Sequence, residues 1–374
     1  MVDKILLFPY YAILKLRNSL YDKGIRKIHR AEVPTICVGN IAAGGTGKTP
    51  HTEMILRELL SSSKWSGKSI AVLSRGYRRE SKGFQQVKEN GSATMFGDEP
   101  MQIKKNFPEV TVAVDKNRIE GCRFLTHPEE LKSSRSGRRC WEKDMPAADI
   151  IVLDDAFQYR KLRADLNIVL VDYNHPLHKD HLIPLGRLRD LPERIEDADI
   201  IIVTKCPRYL DNWQKTIWAE TLGIKDYSTG DCHGTSAGGK KQLVFFTYIE
   251  YCPLQPVFDN ADARYIYSKR MILFTGIAKD KPLRTYLSDT YRIVRRFSFP
   301  DHHKFVWGDF QKIQHAVNKW PTAAVATTEK DAQRVLDYRG LPFPLRERML
   351  KIPIKVAFLT QEEHDIFRNK LLEL

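Results

Sequence analysis

The sequence lacks several features that would assign its class at once. Its six cysteines are scattered without a C-x-x-C pair, which argues against a zinc site or a disulfide framework and fits a reducing compartment. It has no stretch of the ~18 apolar residues that a membrane span needs. Its N-terminal apolar run ends without the small-residue site of a cleavable signal. We therefore expect a globular protein of the cytosol or of a membrane's cytosolic face.

The chain length indicates the number of domains, and the net charge indicates the kind of binding partner. A chain of 374 residues favours two domains, each large enough for its own core. The composition, 42% hydrophobic and 28% charged, is that of an ordinary globular protein. The net charge of +14 indicates an anionic partner, which could be nucleic acid, an anionic membrane face or a phosphorylated substrate.

The most informative stretch is the glycine-rich segment 39–50, Gly-Asn-Ile-Ala-Ala-Gly-Gly-Thr-Gly-Lys-Thr-Pro. It follows an apolar run at 33–38 that predicts a buried strand, and it precedes a helical pattern. This order is typical of a P-loop, in which backbone N–H groups, a helix N-terminus and Lys48 surround phosphates. The hydroxyl of Thr49 is placed to bind Mg²⁺. Ala42 replaces a glycine of the strict motif, so the loop is a variant. The alternative, a glycine-rich turn without function, is disfavoured by the flanking strand and helix.

A second motif lies at 150–155, where four apolar residues end in Asp154 and Asp155. This is the Walker B pattern, which places a carboxylate near the magnesium. Similar apolar runs occur at 69–73, 110–114, 167–171 and 200–203. Their alternation with helical segments predicts an α/β fold, a P-loop NTPase core with a parallel sheet covered by helices on both faces.

The second half of the chain predicts a smaller α/β unit. Residues 226–241 are rich in glycine, serine and lysine, so we place a boundary there. The predicted division is a core at 1–228, a linker region at 229–270 and a C-terminal α/β subdomain at 271–374, whose last helix is able to return to the core. The polar, basic residues 128–147 predict an exposed loop or hairpin insertion.

The N-terminal segment has two interpretations. Within residues 5–30 an apolar part is followed by basic residues, which suits a helix lying in a membrane interface. An ordinary helix packed on the domain is equally compatible, since Pro9 interrupts the pattern.

Two classes of P-loop protein compete. The first is a GTP- or ATP-driven switch that acts on a protein partner. Residues 204–207 lie where a GTPase carries its guanine-reading motif, but Pro207 replaces the aspartate, so guanine specificity is unsupported. A kinase needs a base near the γ-phosphate, for which Asp98 and His302 are candidates. On pattern alone Asp98 is better explained as a helix-capping residue. The pair His302 and His303 after Pro-Asp is more suggestive of function than a lone histidine, and the alternative is that both are surface residues.

The set of motifs resembles the tetraacyldisaccharide 4'-kinase family, the lipid A kinases of Gram-negative bacteria. The resembling pieces lie in the family's order and cover nearly the whole chain, at 38–50, 74–77, 97–100, 154–158, 184–190, 275–278, 299–303 and 327–331. Two departures are Ala156 in place of glycine and Asp190 in place of glutamate. The segment 128–147 has no counterpart among the family's motifs.

The resemblance implies a specific reaction and specific residue roles. The chain would transfer the γ-phosphoryl group of ATP to the 4'-hydroxyl of an acylated glucosamine disaccharide 1-phosphate, with Asp98, His302 and Lys48 as catalytic residues. Two further sets complete the implied site. ATP would lie on Ala43, Gly44, Gly45, Thr46, Gly47, Lys48, Thr49 and Pro50, and Mg²⁺ on Thr49 with Asp154 or Asp155. The acceptor would meet some of Arg75, Arg78, Gln158, Arg189 and Asp190.

The resemblance also makes the membrane interpretation of residues 5–30 the preferred one. The anionic substrate and the anionic inner-membrane surface explain the positive charge. We expect a peripheral protein on the cytoplasmic face of the inner membrane, without nucleic acid and without an obligate protein partner. The family's fold implies a two-stranded linker between the core and the smaller subdomain.

Overall fold

The computed structural model describes residues 2–374, with side chains described from Leu7 onward. The helices are α1 (Val2–Asp22), α2 (Lys48–Ser61), α3 (Ala93–Phe96), α4 (Asp98–Asn106), α5 (Arg118–Thr126), α6 (Glu130–Ser133), α7 (Asn212–Thr221), α8 (Lys281–Ser288), α9 (Trp307–Lys319), α10 (Glu329–Leu336), α11 (Phe343–Arg346) and α12 (Gln361–Leu372). The strands are β1 (Thr35–Asn40), β2 (Ile70–Ser74), β3 (Gln85–Gln86), β4 (Thr111–Val114), β5 (Ile150–Asp154), β6 (Leu166–Asp172), β7 (Ile200–Thr204), β8 (His233–Thr235), β9 (Lys241–Tyr251), β10 (Gln255–Pro256), β11 (Arg270–Thr275), β12 (Arg292–Ser298), β13 (Ala324–Thr328), β14 (Met349–Ile352) and β15 (Ile354–Phe358).

A ten-stranded sheet forms the larger lobe, in the order β15-β9-β7-β6-β1-β5-β2-β4-β3 with β8 paired to β9. The strands from β9 to β4 run parallel, while β15, β8 and β3 are antiparallel to their neighbours. Strands β1, β2, β5 and β7 are buried along their whole length. Apolar clusters cover both faces of the sheet, as continuous apolar strands require. The predicted α/β fold with a helix-covered parallel sheet is confirmed.

A five-stranded sheet, in the order β10-β14-β13-β11-β12, forms the smaller lobe. Its strands β12, β11, β13 and β14 are parallel, and the short β10 is antiparallel to β14. Phe274, Phe310 and Leu345 are fully buried in its core, which brings together β11, α9 and α11. The smaller lobe therefore has a core of its own.

Strand β9 lies within the predicted linker region at 229–270. Its first half pairs with β7 inside the larger sheet, and its second half pairs with β15 as an antiparallel ribbon. The glycines and lysines at 238–241 mark a turn between β8 and β9, because these two strands are hydrogen-bonded neighbours. The first half of β9 therefore belongs to the larger sheet, beyond the predicted boundary, and its second half forms with β15 the two-stranded ribbon that leads to the smaller lobe.

The C-terminal helix α12 lies on the larger lobe. Phe367 is fully buried among the apolar side chains of that lobe and meets Phe245 of β9 edge-on at 5.6 Å. Glu363 forms a buried ion pair with Lys215 of α7. The chain thus crosses to the smaller lobe and returns.

Helix α1 has one packed side and one exposed side. Leu7, Leu14 and Tyr21 are buried, whereas Phe8 and Leu16 are 65% and 63% exposed. The buried side fits a helix packed on the domain, and the exposed side fits a helix lying in a membrane interface. The basic residues that follow, at 23–30, lie mostly beyond the helix end at Asp22 and are largely exposed. Within residues 2–374 we find no helix that is both long and apolar enough to cross a membrane.

The segment 128–147 is only partly the exposed loop that its composition predicts, and it forms no hairpin. It contains α6 and a short 3₁₀ turn at Gly137–Arg139, and it buries Leu131 and Cys140. The side-chain amide of Gln85 holds it by donating to the Arg139 carbonyl at 2.7 Å and accepting from the Trp141 N–H at 3.1 Å. The polar, basic composition of the segment gave no indication of these contacts.

Candidate active site

The glycine-rich loop lies between the end of β1 and the start of α2. Gly44 and Gly47 have φ values of +106° and +89°, which side-chain-bearing residues rarely adopt. The amide of Asn40 donates to the Thr46 hydroxyl at 2.8 Å and ties the two ends of the loop together. The loop therefore has the strand–turn–helix context that a phosphate-binding P-loop requires, and Lys48 is the first residue of its helix.

Residues at the end of the neighbouring strand β7 bind the backbone of this loop. The Thr204 hydroxyl, at the end of β7, donates to the Thr46 carbonyl at 2.9 Å. Lys205 donates to the Gly45 carbonyl and pairs with Asp172 at 2.7 Å. These are the residues that would begin a guanine-reading motif in a GTPase. Here they hold the loop backbone, a role that the sequence pattern did not indicate.

A buried histidine contacts the backbone at the start of α2. His51 lies 2.7 Å from the Gly47 carbonyl through Nδ1 and 3.0 Å from the Thr247 hydroxyl through Nε2. Burial lowers its pKa to about 4, so the ring is neutral near pH 7. A neutral ring donates from Nδ1 to the carbonyl and accepts at Nε2, which satisfies both nitrogens.

The Walker B carboxylates lie at the end of β5, the strand next to β1, with Asp154 as its last residue and Asp155 directly after it. Asp155 lies 3.7 Å from the Lys48 ammonium and 3.1 Å from the Arg189 guanidinium. Burial would raise the pKa of Asp155, but the charges of Lys48 and Arg189 outweigh it and hold the pKa below its ordinary value. Arg189 also donates to the side chain of Asn40, so the predicted residues Lys48, Asp155 and Arg189 meet at one point.

Asp154 has a different environment. Its side chain is 1% exposed, and Oδ2 accepts from the Ser74 hydroxyl at 2.9 Å. Its buried Oδ1 has no hydrogen-bond partner among the residues that the structure describes. Burial and the charges of Glu99 and Asp155 raise the pKa of Asp154 to about 7. An unpaired buried carboxylate oxygen beside two other carboxylates is an environment that a cation would stabilise.

These residues fit a magnesium site of the nucleotide-dependent kind. Among the described side chains there is no cluster of three or more histidines, cysteines or acids that could hold a metal by itself. Mg²⁺ usually needs only one or two carboxylates and completes its shell with phosphates and water. Asp154 and Asp155 supply the carboxylates, and Thr49 is the second residue of α2.

Asp98, the first residue of α4, meets two side chains of the smaller lobe. His302 Nδ1 lies 3.1 Å from its Oδ2, and Arg334 donates to the same oxygen from Nε at 2.8 Å and Nη2 at 2.5 Å. Burial would raise the pKa of Asp98, but the hydrogen bonds from His302 and Arg334 lower it to about 2. Gly97 occupies the N-cap position of α4 and the Asp98 carboxylate binds His302 and Arg334 instead, so the capping interpretation is wrong.

Residues of both lobes surround the rest of the His302 ring. Lys330, on α10, lies 3.3 Å from His302 Nε2 and 3.3 Å from Glu99, and the Tyr77 ring packs edge-on against the imidazole. His303 points elsewhere and pairs with Asp309 at 2.7 Å. Lys330 belongs to the segment 327–331 that carries part of the family resemblance, but Arg334 lies outside it. No role for either residue was apparent in the sequence.

The remaining predicted residues divide into two groups. Arg75 and Arg78 are exposed on the loop after β2.

Asp190 is 1% exposed and accepts a hydrogen bond from Asn18 of α1 at 2.9 Å, and Arg194 lies 3.7 Å from it. The backbone carbonyl of Gln158 accepts a hydrogen bond from the guanidinium of Arg17 of α1. Asp190 and Gln158 therefore connect α1 to the site.

Comparison with known proteins agrees with this geometry. The family model for tetraacyldisaccharide-1-P 4'-kinase matches residues 4–372. The chain belongs to this family. The tetraacyldisaccharide 4'-kinase of Phocaeicola vulgatus is 36% identical over 369 residues, with 96% of this chain and 90% of that protein covered. The enzyme of the same name from Flavobacterium johnsoniae is 35% identical over 364 residues, with 96% and 94% covered.

A solved structure extends the agreement to three dimensions. LpxK from Aquifex aeolicus in complex with ATP superimposes with a TM-score of 0.68 at 27% identity, covering 100% of this chain and 99% of that one. The resemblance inferred from the motifs is thereby confirmed, and the fold is that of the family.

The Asp98 environment predicts an acid-dependent contribution to stability. Because the pKa of Asp98 falls from 3.8 to about 2 on folding, its contribution is fully present above about pH 4 and is lost as the pH falls toward 2. Asp98→Asn should therefore lower the free energy of unfolding by about 2 kcal/mol near neutrality, with a smaller difference at acid pH. Urea unfolding from pH 7 down to the lowest pH at which the wild type folds measures this.

The control is Asp259→Asn, which changes an exposed carboxylate. We expect it to alter the stability little and equally at each pH. A difference between wild type and Asp98→Asn that stays constant from pH 6 to pH 3 would contradict the ion-pair assignment.

Proposed function

We propose that this chain is an ATP-dependent kinase that phosphorylates the 4'-hydroxyl of a tetraacylated glucosamine disaccharide 1-phosphate, giving lipid IVA in lipid A biosynthesis. The observation that carries the proposal is the meeting of Asp98 with His302 across the two lobes, in a family member whose P-loop and Walker B residues are all in place. The relatives are named for this activity, and the Aquifex aeolicus structure holds ATP.

The nucleotide half of the reaction uses the P-loop. Residues 43–50 surround the β- and γ-phosphates, and Lys48 neutralises the charge that develops during transfer. Thr49 with Asp154 or Asp155 would hold Mg²⁺, which would neutralise further phosphate charge. The unpaired Oδ1 of Asp154 supports it as the direct ligand. Asp155 already balances Lys48 and Arg189, which supports a role in holding those cations.

The acceptor half uses Asp98 and His302. A carboxylate with a pKa of about 2 is a weak base for a sugar hydroxyl. In a loose phosphoryl-transfer transition state, however, little proton abstraction is needed before the bond to ADP breaks. Asp98 then orients the hydroxyl by accepting its hydrogen bond and receives the proton late. The exposed Arg75 and Arg78 are suited to the 1-phosphate of the acceptor, with Arg189 nearer the nucleotide.

The competing function, a nucleotide-driven switch, is not favoured. Pro207 occupies the position of the guanine-reading aspartate, and Lys205 donates hydrogen bonds to the Gly45 carbonyl and to Asp172. A switch also has no use for a carboxylate and a histidine that converge from two lobes.

The exposed side of α1 supports peripheral binding to the cytoplasmic face of the inner membrane. Phe8, Ile13 and Leu16 are each more than 60% exposed, and the segment 23–30 adds exposed basic residues. An apolar strip beside positive charge is suited to the interface of an anionic bilayer. We propose no nucleic acid and no obligate protein partner.

The assay that tests the function uses the purified protein with ATP, Mg²⁺ and a tetraacylated disaccharide 1-phosphate in mixed micelles. We expect a 4'-phosphorylated product. Lys48→Ala should lower the rate by a factor on the order of 10³ or more, because it removes the cation at the start of the loop helix. Retention of more than roughly a tenth of the wild-type rate at saturating ATP, equivalent to ~1.4 kcal/mol, would exclude this role of Lys48.

The pairing of Asp98 with His302 predicts non-additive kinetics. Asp98→Ala and His302→Ala should each lower kcat far more than they raise the KM for ATP. The double variant should be little worse than the worse single variant, because the two groups act as a unit. A double-mutant cycle on kcat/KM for the lipid acceptor measures the coupling, and fully additive losses would show that the residues act independently.

The membrane proposal predicts a specific loss of vesicle binding. Deleting α1 would also remove the packed residues Leu14 and Asn18, so the sharper variant changes only Phe8, Ile13 and Leu16 to serine. We expect weaker sedimentation with anionic vesicles, and further weakening by salt at about 1 kcal/mol per basic residue near the surface. Tyr209→Ser with Trp213→Ser, which alters exposed aromatic residues elsewhere, is the control. Unchanged binding by the triple variant would favour a purely structural α1.

A further inference from the structure

A buried polar cluster lies outside the site, where α2, α4 and α10 meet. We call it the interlobe clamp; its members are Glu53 of α2, Gln102 and Asn106 of α4, and Glu329 of α10. The Gln102 amide donates to Glu53 Oε1 at 2.9 Å and to Glu329 Oε2 at 3.3 Å. The Asn106 amide donates to Glu53 Oε1 at 3.0 Å and to Glu329 Oε1 at 3.3 Å. Two amides thus bridge two carboxylates from different lobes.

Three of the four clamp residues are almost completely shielded from water, and Asn106 is partly buried. The exposures of Glu53, Gln102 and Glu329 are 1%, 5% and 5%. Charged groups are seldom buried without a reason, because their desolvation is costly. The mechanism uses none of these side chains, so their burial needs another explanation.

Each of the three helices carries a clamp residue and a residue of the candidate site. Helix α2 begins with Lys48 and carries Glu53 near its second turn. Helix α4 begins with Asp98 and carries Gln102 one turn later. Helix α10 begins with Glu329 and carries Arg334, which holds the Asp98 carboxylate. A displacement of α10 at the clamp would therefore move Arg334 relative to Asp98.

We propose that the interlobe clamp is a positioning device for catalysis, in which Gln102 and Asn106 hold the smaller lobe against α2 and α4 so that Arg334 and His302 stay aligned on Asp98. The inference rests on the kinase function proposed above and adds four positioning residues to it. The four side chains act through helices and do not touch the reacting atoms.

The charges around the clamp agree with this role. Arg57 lies 3.1 Å from Glu53, and Lys351 of β14 lies 3.0 Å from Glu329, so each carboxylate has one cation from its own lobe. Burial, followed by the charge of Glu329, raises the pKa of Glu53 to about 7. Taking up a proton on Glu53 relieves the repulsion between the two carboxylates. A protonated glutamic acid has nearly the shape of glutamine, which provides a conservative replacement.

The test compares Glu53→Ala with Glu53→Gln. Both amides donate to the same oxygen of Glu53, and a glutamine carbonyl can accept both bonds, whereas alanine accepts none. We expect Glu53→Ala to lower kcat at least about tenfold with a KM for ATP within about threefold, as a small misplacement of reacting groups would do. Glu53→Gln should stay within about twofold of wild type. Gln314→Ala, which removes an amide contact on the surface of α9, is the control.

Hydrogen exchange provides a readout that does not depend on the lipid substrate. Loss of the clamp should speed exchange of the amides of α10 in Glu53→Ala but not in Glu53→Gln, with ATP and Mg²⁺ present. If Glu53→Ala does not fold, Gln102→Ala removes the same bridge from the side of α4. If wild type shows no kinase activity, the proposed function fails while the exchange data still test the clamp.

Two results would overturn the proposal. In the first, wild type is active and both Glu53 variants keep its kcat and its α10 exchange. In the second, Glu53→Ala and Glu53→Gln lose activity equally, which would mean that the charge of Glu53 matters and its accepting geometry does not.

Discussion

The position of β1 between β5 and β6 is the constraint on which the site depends. All three strands are parallel, so their carboxyl ends open at the same edge of the sheet. The register places Val38 opposite Asp154, and the Asp155 N–H donates to the Val38 carbonyl at 2.9 Å. This pairing brings Lys48 and Asp155 to within 3.7 Å. A slip of one residue would turn the Asp154 side chain to the opposite face and separate the carboxylates from the loop.

Much of the larger lobe could be predicted because its signals are local. Strands β1, β5 and β7 are continuous apolar runs, and the P-loop is defined by glycines next to Lys48 and Thr49. The pairing of Asp98 with His302 needed more than local signals. Pattern alone favoured helix capping for Asp98, and only the family resemblance placed these distant residues together.

The parts that could not be predicted depend on contacts between distant segments. Arg334 reaches Asp98 across 236 residues, and Gln102 reaches Glu329 across 227. No local pattern marks an arginine or a glutamine for such a role. Strand β9 was assigned to a linker because its glycine-rich approach has the composition of a boundary as well as of a hairpin turn. The hydrogen bond that joins Asp190 to Asn18 of α1 was likewise not predicted.

That attachment has a consequence for how the enzyme finds its substrate. The side of α1 opposite the exposed strip contacts Gln158 through Arg17 and Asp190 through Asn18, and Arg189 adjoins Asp190 in the chain. These contacts attach the surface proposed to face lipid to residues beside the candidate site. A docked enzyme would search for its acceptor by lateral diffusion within the bilayer. Its turnover would then follow the mole fraction of the disaccharide lipid in that surface, and diluting the surface with inert phospholipid would slow it at constant bulk concentration.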